Sequence, residues 1–205
     1  MSANAERHAF FLGDSIVAGV GDPEHRGWVG RLAERSRADG NPVIVYNLGV
    51  RRDTSEDVRR RWSDEVGARR AASAEERMIV SFGVNDTGVE RGRCRVDPAR
   101  SEANLHALVD GARAVGLPLL VVGPAPVEDP AQNDRIAVLD DRFRAVCTGA
   151  AVPYVTVYAA LVAEPVWMQE VVHGDGSHPA SGGYALLTEL VLPVWRRWLA
   201  AGRIR

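Results

Sequence analysis

Apolar runs and amphipathic stretches alternate along this chain. Short blocks rich in β-branched and aromatic residues fall at 9–12, 43–46, 78–82, 119–122 and 154–157, and each reads as a strand. Stretches with helical spacing lie between them. Residues 28–38 set Trp28, Leu32 and Ala33 on one side and Arg31, Glu34 and Arg35 on the other. Residues 54–70 form a charged helix that Thr54 or Ser55 can cap. A helix over 98–115 carries Leu105, Leu108, Val109 and Ala112 on one face and ends at Gly116. Another over 135–148 has the stripe Ile136, Leu139, Phe143 and Val146. The last, over about 181–201, turns Leu187, Leu190, Val191, Val194, Trp198 and Leu199 inward, and Pro193 is expected to kink or split it.

Strands alternating with helices predict an α/β fold, with right-handed crossovers and a five-stranded parallel sheet covered on both faces. The 205 residues suffice for a sizeable core, read here as a single domain over 1–205. Hydrophobic residues at 46% and charged residues at 25% are ordinary for a soluble globular protein. A net charge of -2 offers no broad basic surface, so no nucleic-acid partner is expected. The arginine-rich stretch 51–70 also carries Asp53, Glu56, Asp57, Asp64 and Glu65, and reads as a solvated helix face with i,i+4 pairs. Residues 1–8 are polar and lack the pattern of a signal peptide, and no apolar run reaches membrane-spanning length. The expected location is cytoplasmic, with no membrane partner. Every cationic side chain is arginine, and the lack of lysine excludes Schiff-base, Walker-type and serine–lysine chemistry. Cys94 and Cys147 have no C-x-x-C partner and read as two reduced thiols, not as a zinc or redox motif.

In a parallel sheet all strand C-termini share one rim, and there the unusual residues collect. The first strand ends in Gly13-Asp14-Ser15, the second in Asn47-Leu48-Gly49, and the third in Gly83-Val84-Asn85-Asp86. A long segment after the fifth holds Asp175-Gly176-Ser177-His178-Pro179. Singly, each has an ordinary explanation: Ser15 as a helix cap, Gly49 and Asn85-Asp86 as turns, His178 as a solvated loop residue. Jointly they fit acyl transfer. A serine hydroxyl needs an adjacent base, which His178 supplies, with His173 as a weaker competitor in the same segment. Asp175, three residues before, can hold the imidazole Nδ1–H. The Ser15 N–H, the Gly49 N–H and the Asn85 amide can donate to an oxyanion. No metal or cofactor is required. Asp14 reads as a turn-shaping residue, and Asp86 is near enough to Asn85 to line the site.

These four blocks resemble those of the SGNH (GDSL-type) esterase and lipase family, in the family's order and over the whole chain. Ile16 stands where the family's short name has leucine. The resemblance implies a flavodoxin-like three-layer α/β/α sandwich. It implies Ser15 as nucleophile, Gly49 and Asn85 as oxyanion donors, His178 as base and Asp175 as its orienting partner, because only His178 has the Asp-x-x-His-Pro setting. The implied activity is a serine hydrolase that cleaves carboxylic esters through an acyl-enzyme on Ser15, with a small-molecule ester as partner. Without a long apolar lid, short acyl groups are expected. A deacetylase of a sugar or small metabolite, or a thioesterase, is the nearest alternative. A non-catalytic carbohydrate-binding or interaction protein is more remote, as is a nucleotide-binding domain, since no G-x-G-x-x-G follows the first strand. The pocket is expected to be lined by Ile16, Val17 and residues 50–53, 87–96, 125–133 and 164–172. That wall would mix Trp167, Met168 and Val172 with Arg51, Arg52, Arg91 and Arg93.

Overall fold

The computed structural model describes residues 6–201. The polar N-terminal stretch, read above as lacking a leader, lies outside them up to Ala5. The first half of the chain gives β1 (Arg7–Gly13), α1 (Ser15–Ala18), α2 (Gly27–Ala38), β2 (Ile44–Gly49), α3 (Ser55–Gly67) and β3 (Glu75–Ser81). Then follow α4 (Val84–Thr87), the antiparallel pair β4 (Val89–Glu90) and β5 (Arg93–Cys94), α5 (Pro98–Ala114) and β6 (Leu119–Val122). The remainder is α6 (Pro130–Gly149), β7 (Tyr154–Val155), α7 (Tyr158–Val162), α8 (Pro165–His173) and α9 (Ser181–Ala200).

The main sheet is all parallel, in the order β2-β1-β3-β6-β7. β1 lies between β2 and β3 and is buried from His8 to Gly13. Side chains alternate across a strand, so each inner strand feeds two cores. Ala9, Phe11, Ile79, Leu120 and Val122 pack with Trp28 of α2 and Leu187, Val191 and Trp195 of α9. Phe10, Leu12, Met78, Val80 and Val121 pack on the other face with Val58, Leu105, Leu108 and Phe143. Fully burying such a side chain stabilises by about 1.5–3 kcal/mol, so β1 cannot shift by one residue without reversing both cores. The chain leaves β1 toward β2 on one side and returns to β3 on the other. The crevice at their carboxyl ends is where such sheets bind ligands. Gly13 closes β1 there, and a Cβ on it would stand 1.9 Å from the Ser81 carbonyl oxygen of β3.

Several elements differ from the pattern reading. β1 begins early enough to include His8. α6 starts five residues earlier than the predicted 135, because Asp129 caps it through the Ala131 N–H at 2.9 Å and Pro130 opens it. α3 is capped by Thr54 in a capping box with Asp57 and stops at Gly67. Its Arg61 pairs with Glu65 as an i,i+4 neighbour, yet also reaches Asp53 and the Gly13 carbonyl, so it is not simply solvated. The fifth strand shrinks to Tyr154–Val155, and the long segment behind it contains α7 and α8.

Arg31 is another correction. The helical pattern puts it on the polar side, but it is buried against Asp22, Nη1 to Oδ2 at 2.5 Å. Burial alone would raise the Asp22 pKa. Hydrogen bonds from Arg31, Ser181 and the N–H groups of Glu24 and Gly27 outweigh it and hold the carboxylate well below its ordinary range. Cys94 and Cys147 are unpaired. No helix among the described residues is long and apolar enough to cross a membrane.

Pro193 lies inside α9, and the helix runs through it unbroken. A proline there removes one backbone hydrogen bond and crowds the preceding turn, at a cost of about 3 kcal/mol in a helix interior. The burial of Val191, Leu192 and Trp195 around it outweighs that cost. Because Pro193 itself is exposed, Pro193→Ala should stabilise the fold by about 1–3 kcal/mol, raising Tm by several degrees. A lower Tm for the variant in a thermal melt would contradict this account.

Candidate active site

At the end of β1 the chain turns sharply. Asp14, not Ser15, is the cap of α1: its carboxylate accepts the Ile16 N–H at 2.9 Å. Ser15 is therefore the first helical residue. Its N–H has no acceptor among the described residues, which leaves it open beside its own hydroxyl. Asp14 is wholly buried. Burial pushes its pKa up to about 7, with the Ile16 N–H resisting and the nearby Asp86 and Asp53 adding to the rise.

Across the crevice, His178 Nε2 lies 2.7 Å from Ser15 Oγ. On the other side of the ring, Nδ1 lies 2.7 Å and 2.9 Å from the two Asp175 oxygens. Asp175 Oδ1 also accepts the N–H groups of Ser177 at 3.1 Å and His178 at 3.0 Å, so one carboxylate fixes both the turn and the ring. Partial burial would raise the Asp175 pKa, but the His178 contact and these two N–H groups hold it below the ordinary value. His173 points elsewhere, its Nδ1 2.7 Å from the Gln169 carbonyl.

The turn carrying His178 is pinned from α8. α9 has no side-chain cap of its own. The Glu170 carboxylate fills that role, accepting from the N–H groups of Ala180 at 2.9 Å, Gly182 at 3.1 Å and Gly183 at 2.7 Å. A Cβ on Gly182 would stand 2.6 Å from Glu170 Oε1, which explains that glycine. Sequence reasoning missed Glu170. The available signal was a helix opening on Ser181-Gly182-Gly183 with no capping side chain before it.

The third strand's block divides in two. Asn85 lines the crevice, with one amide hydrogen spent on the Asp53 carbonyl at 2.9 Å. Asp86 turns inward. It accepts the Ser55 N–H at 2.8 Å and the Ser101 hydroxyl at 2.6 Å, joining α3 to α5, and burial raises its pKa despite those donors. Gly49 also departs from expectation. Its N–H is donated to Asn47 Oδ1 at 3.0 Å, and it does not line the crevice. A Cβ there would meet the Ala18 nitrogen at 2.2 Å, so the glycine serves the close approach of β2 to α1.

Ser15, Asn85, Asp175 and His178 share one cleft of about 340 Å³ with Arg51, Arg52, Arg95 and Gln132. Ile16 and Val84 supply its apolar part. The expected aromatic wall is absent: Trp167 is fully buried and donates Nε1–H to the Pro126 carbonyl at 3.1 Å. Met168 packs against the core, and Arg91, Arg93 and Val172 do not line the cleft. No group of three or more His, Cys, Asp or Glu among the described residues is placed to hold a metal ion. Chemically, the arrangement supplies a hydroxyl with a base, an oriented imidazole, and an open N–H donor at a helix start.

The model of the GDSL-like lipase/acylhydrolase family matches residues 11–186. Esterase TesA of Pseudomonas aeruginosa is 28% identical over 186 residues, covering 89% of this chain and 84% of that protein. The crystal structure of a lipase/acylhydrolase from Enterococcus faecalis superposes with a TM-score of 0.78 at 25% identity, covering 93% of this chain and 96% of the other. That of Axe2, an acetylxylan esterase from Geobacillus stearothermophilus, gives a TM-score of 0.77 at 19% identity, covering 100% and 99%, and this likeness concerns the fold.

Two outcomes follow from the site's construction. Folding raises the Asp14 pKa from 3.8 to about 7, so the folded state holds that proton more tightly than the unfolded chain. The group is neutral to stability below about pH 4 and opposes folding increasingly up to about pH 7. Asp14→Asn keeps a capping acceptor and removes the charge. Its Tm should exceed wild type by about 5 °C or more at pH 8, with the gap closing toward pH 4; a gap independent of pH would refute the assignment. Glu170→Ala should cost about 1–3 kcal/mol and lower kcat more than it raises KM, with Glu170→Gln partly restoring both; wild-type kcat in the alanine variant would deny it a positioning role.

Proposed function

The chain belongs to the GDSL-like lipase/acylhydrolase family of carboxylic ester hydrolases, and on that premise we propose that it cleaves short-chain acyl esters through an acyl-enzyme on Ser15. The observation that carries this reading is the pair of contacts that the His178 ring makes, Nε2 to Ser15 Oγ and Nδ1 to Asp175 Oδ2, each 2.7 Å.

Ser15 Oγ attacks the ester carbonyl carbon as His178 Nε2 takes the hydroxyl proton. Asp175 holds the ring with Nδ1 protonated and balances the imidazolium that forms. The carbonyl oxygen becomes an oxyanion that accepts from the Ser15 N–H and the free hydrogen of Asn85 Nδ2. Arg52 lines the same cleft, and its N–H has no acceptor among the described residues; it replaces Gly49 as the third donor. The bond to the leaving oxygen then breaks as His178 returns its proton to the departing alcohol. Water repeats the sequence on the acyl-enzyme, releasing the acid and restoring Ser15. The cleft's small volume and largely polar lining favour short or polar acyl groups over fatty chains.

Ser15→Ala and His178→Ala should each nearly abolish p-nitrophenyl acetate hydrolysis, and Ser15→Ala should also abolish labelling by a fluorophosphonate. Asn85→Ala should lower kcat by about 10²–10³-fold while the protein still folds, the lost bond to the Asp53 carbonyl costing only about 1 kcal/mol. Asp175→Ala should cost less than Ser15→Ala, since hydroxyl and base remain. Wild-type turnover in Ser15→Ala would remove the nucleophile from this scheme.

A further inference from the structure

We infer that Arg51, Arg52 and Arg95 select esters that carry an anionic group, a carboxylate or a phosphate, close to the bond being cleaved. The inference rests on the acyl-transfer reading above and names the substrate class of that site.

The cleft's charge is the first observation. Three arginines line it against a single acidic residue, Asp175. That carboxylate is committed to His178 at 2.7 Å, while Arg51 Nη2 stands off at 3.7 Å. When His178 takes the serine proton, Asp175 balances the imidazolium, and no second carboxylate lines the cleft to balance the arginines. A guanidinium matches carboxylate and phosphate oxygens in a planar, two-pronged way.

The second observation is convergence. Arg52 Nη2 and Arg95 Nε each lie 3.4 Å from the same oxygen, Oε1 of Glu90 on the small hairpin. The two cations are thus spaced to meet on one anionic oxygen. Glu90 lies outside the cleft lining and is exposed, so it is a weak, solvent-screened partner.

The third observation is backbone strain. Val50 to Asp53 form a turn closed by the Asp53 N–H on the Val50 carbonyl at 3.2 Å. Arg52 occupies its third position at φ 71°, where such a turn favours glycine. The conformation is held from outside: Arg95 Nη2 donates to the Arg52 carbonyl at 3.0 Å, and Asn85 Nδ2 to that of Asp53 at 2.9 Å. An arginine kept where glycine is unstrained, with its guanidinium largely exposed, does little for the fold. Strain of this kind gathers where a side chain has work to do.

The test compares matched esters. Monoethyl succinate against ethyl butyrate places the charge on the acyl side. The acetate ester of phosphoethanol against that of ethylene glycol places it on the alcohol side. For wild type, kcat/KM should favour the charged member of at least one pair by about tenfold or more, with the preference shrinking in high salt. The pair that shows it identifies which side of the ester bears the anion. Arg52→Gly, which relieves the strained turn and retains the N–H, should hold or raise Tm. Arg52→Gly and Arg95→Gln should each pull the preference toward one, mainly through KM. Neutral esters cleaved as fast as charged ones by wild type, or a preference unmoved by both variants, overturns this inference alone. Failure of the acyl-transfer reading would appear separately, as neutral-ester turnover that survives Ser15→Ala.

Discussion

Ser15 and His178 are 163 residues apart and meet at 2.7 Å. That contact exists because both ends of the chain pack on one face of the sheet. α1 and α2 follow β1 onto that face, and α8 and α9 return to it, sharing the core around Trp28, Trp167 and Trp195. Polar ties lock the two halves in register. Ser181 donates to Asp22 at 2.7 Å and the Tyr184 hydroxyl to the Val20 carbonyl at 2.7 Å. Pro179 and His178 lie so close to Gly21 that a Cβ on it would meet the Pro179 oxygen at 2.7 Å. The serine loop and the histidine loop are therefore packed against each other as well as hydrogen-bonded.

Around this contact lie the buried carboxylates Asp14, Asp22 and Asp86. Each satisfies backbone N–H groups that the sharp turns leave over. Burying a carboxylate is costly unless its oxygens are filled, and the three solve the problem differently. Asp22 stays charged against Arg31. Asp86 accepts from Ser55 and Ser101, with Arg95 near enough to favour its charge but no ion pair. Asp14 has one N–H and lies close to other acids, so its charge is the least supported of the three. The most strained electrostatics thus sits one residue from the serine, where the turn geometry is least negotiable.

The strand-and-helix alternation and the four blocks were legible because each is local. A period of two or of 3.6 survives in sequence, and so does a short block at a strand end. Asp175 and His178 were legible for the same reason, three residues apart on one turn. What escaped depends on partners distant in sequence. Arg31 looks solvent-facing until Asp22 is folded beneath it. Glu170 is an ordinary helix carboxylate until α9 begins against it. Trp167 resembles a pocket wall until its indole finds the Pro126 carbonyl. Gly49 was misjudged because a glycine that admits a neighbouring helix and one that bares an N–H look alike in sequence. The cleft's cationic wall was visible only as scattered arginines, since selecting Arg51, Arg52 and Arg95 over Arg91 and Arg93 requires the hairpin's geometry.

The order of the parts has a consequence for biosynthesis. β1 and Ser15 are made before the turn that carries His178, which lies 163 residues further on. Until residue 178 is added, a nascent chain holds the hydroxyl without the imidazole that stands against it. The contact between them therefore arises only after all five strands of the sheet that supports it have been made, and a chain truncated before residue 178 lacks it.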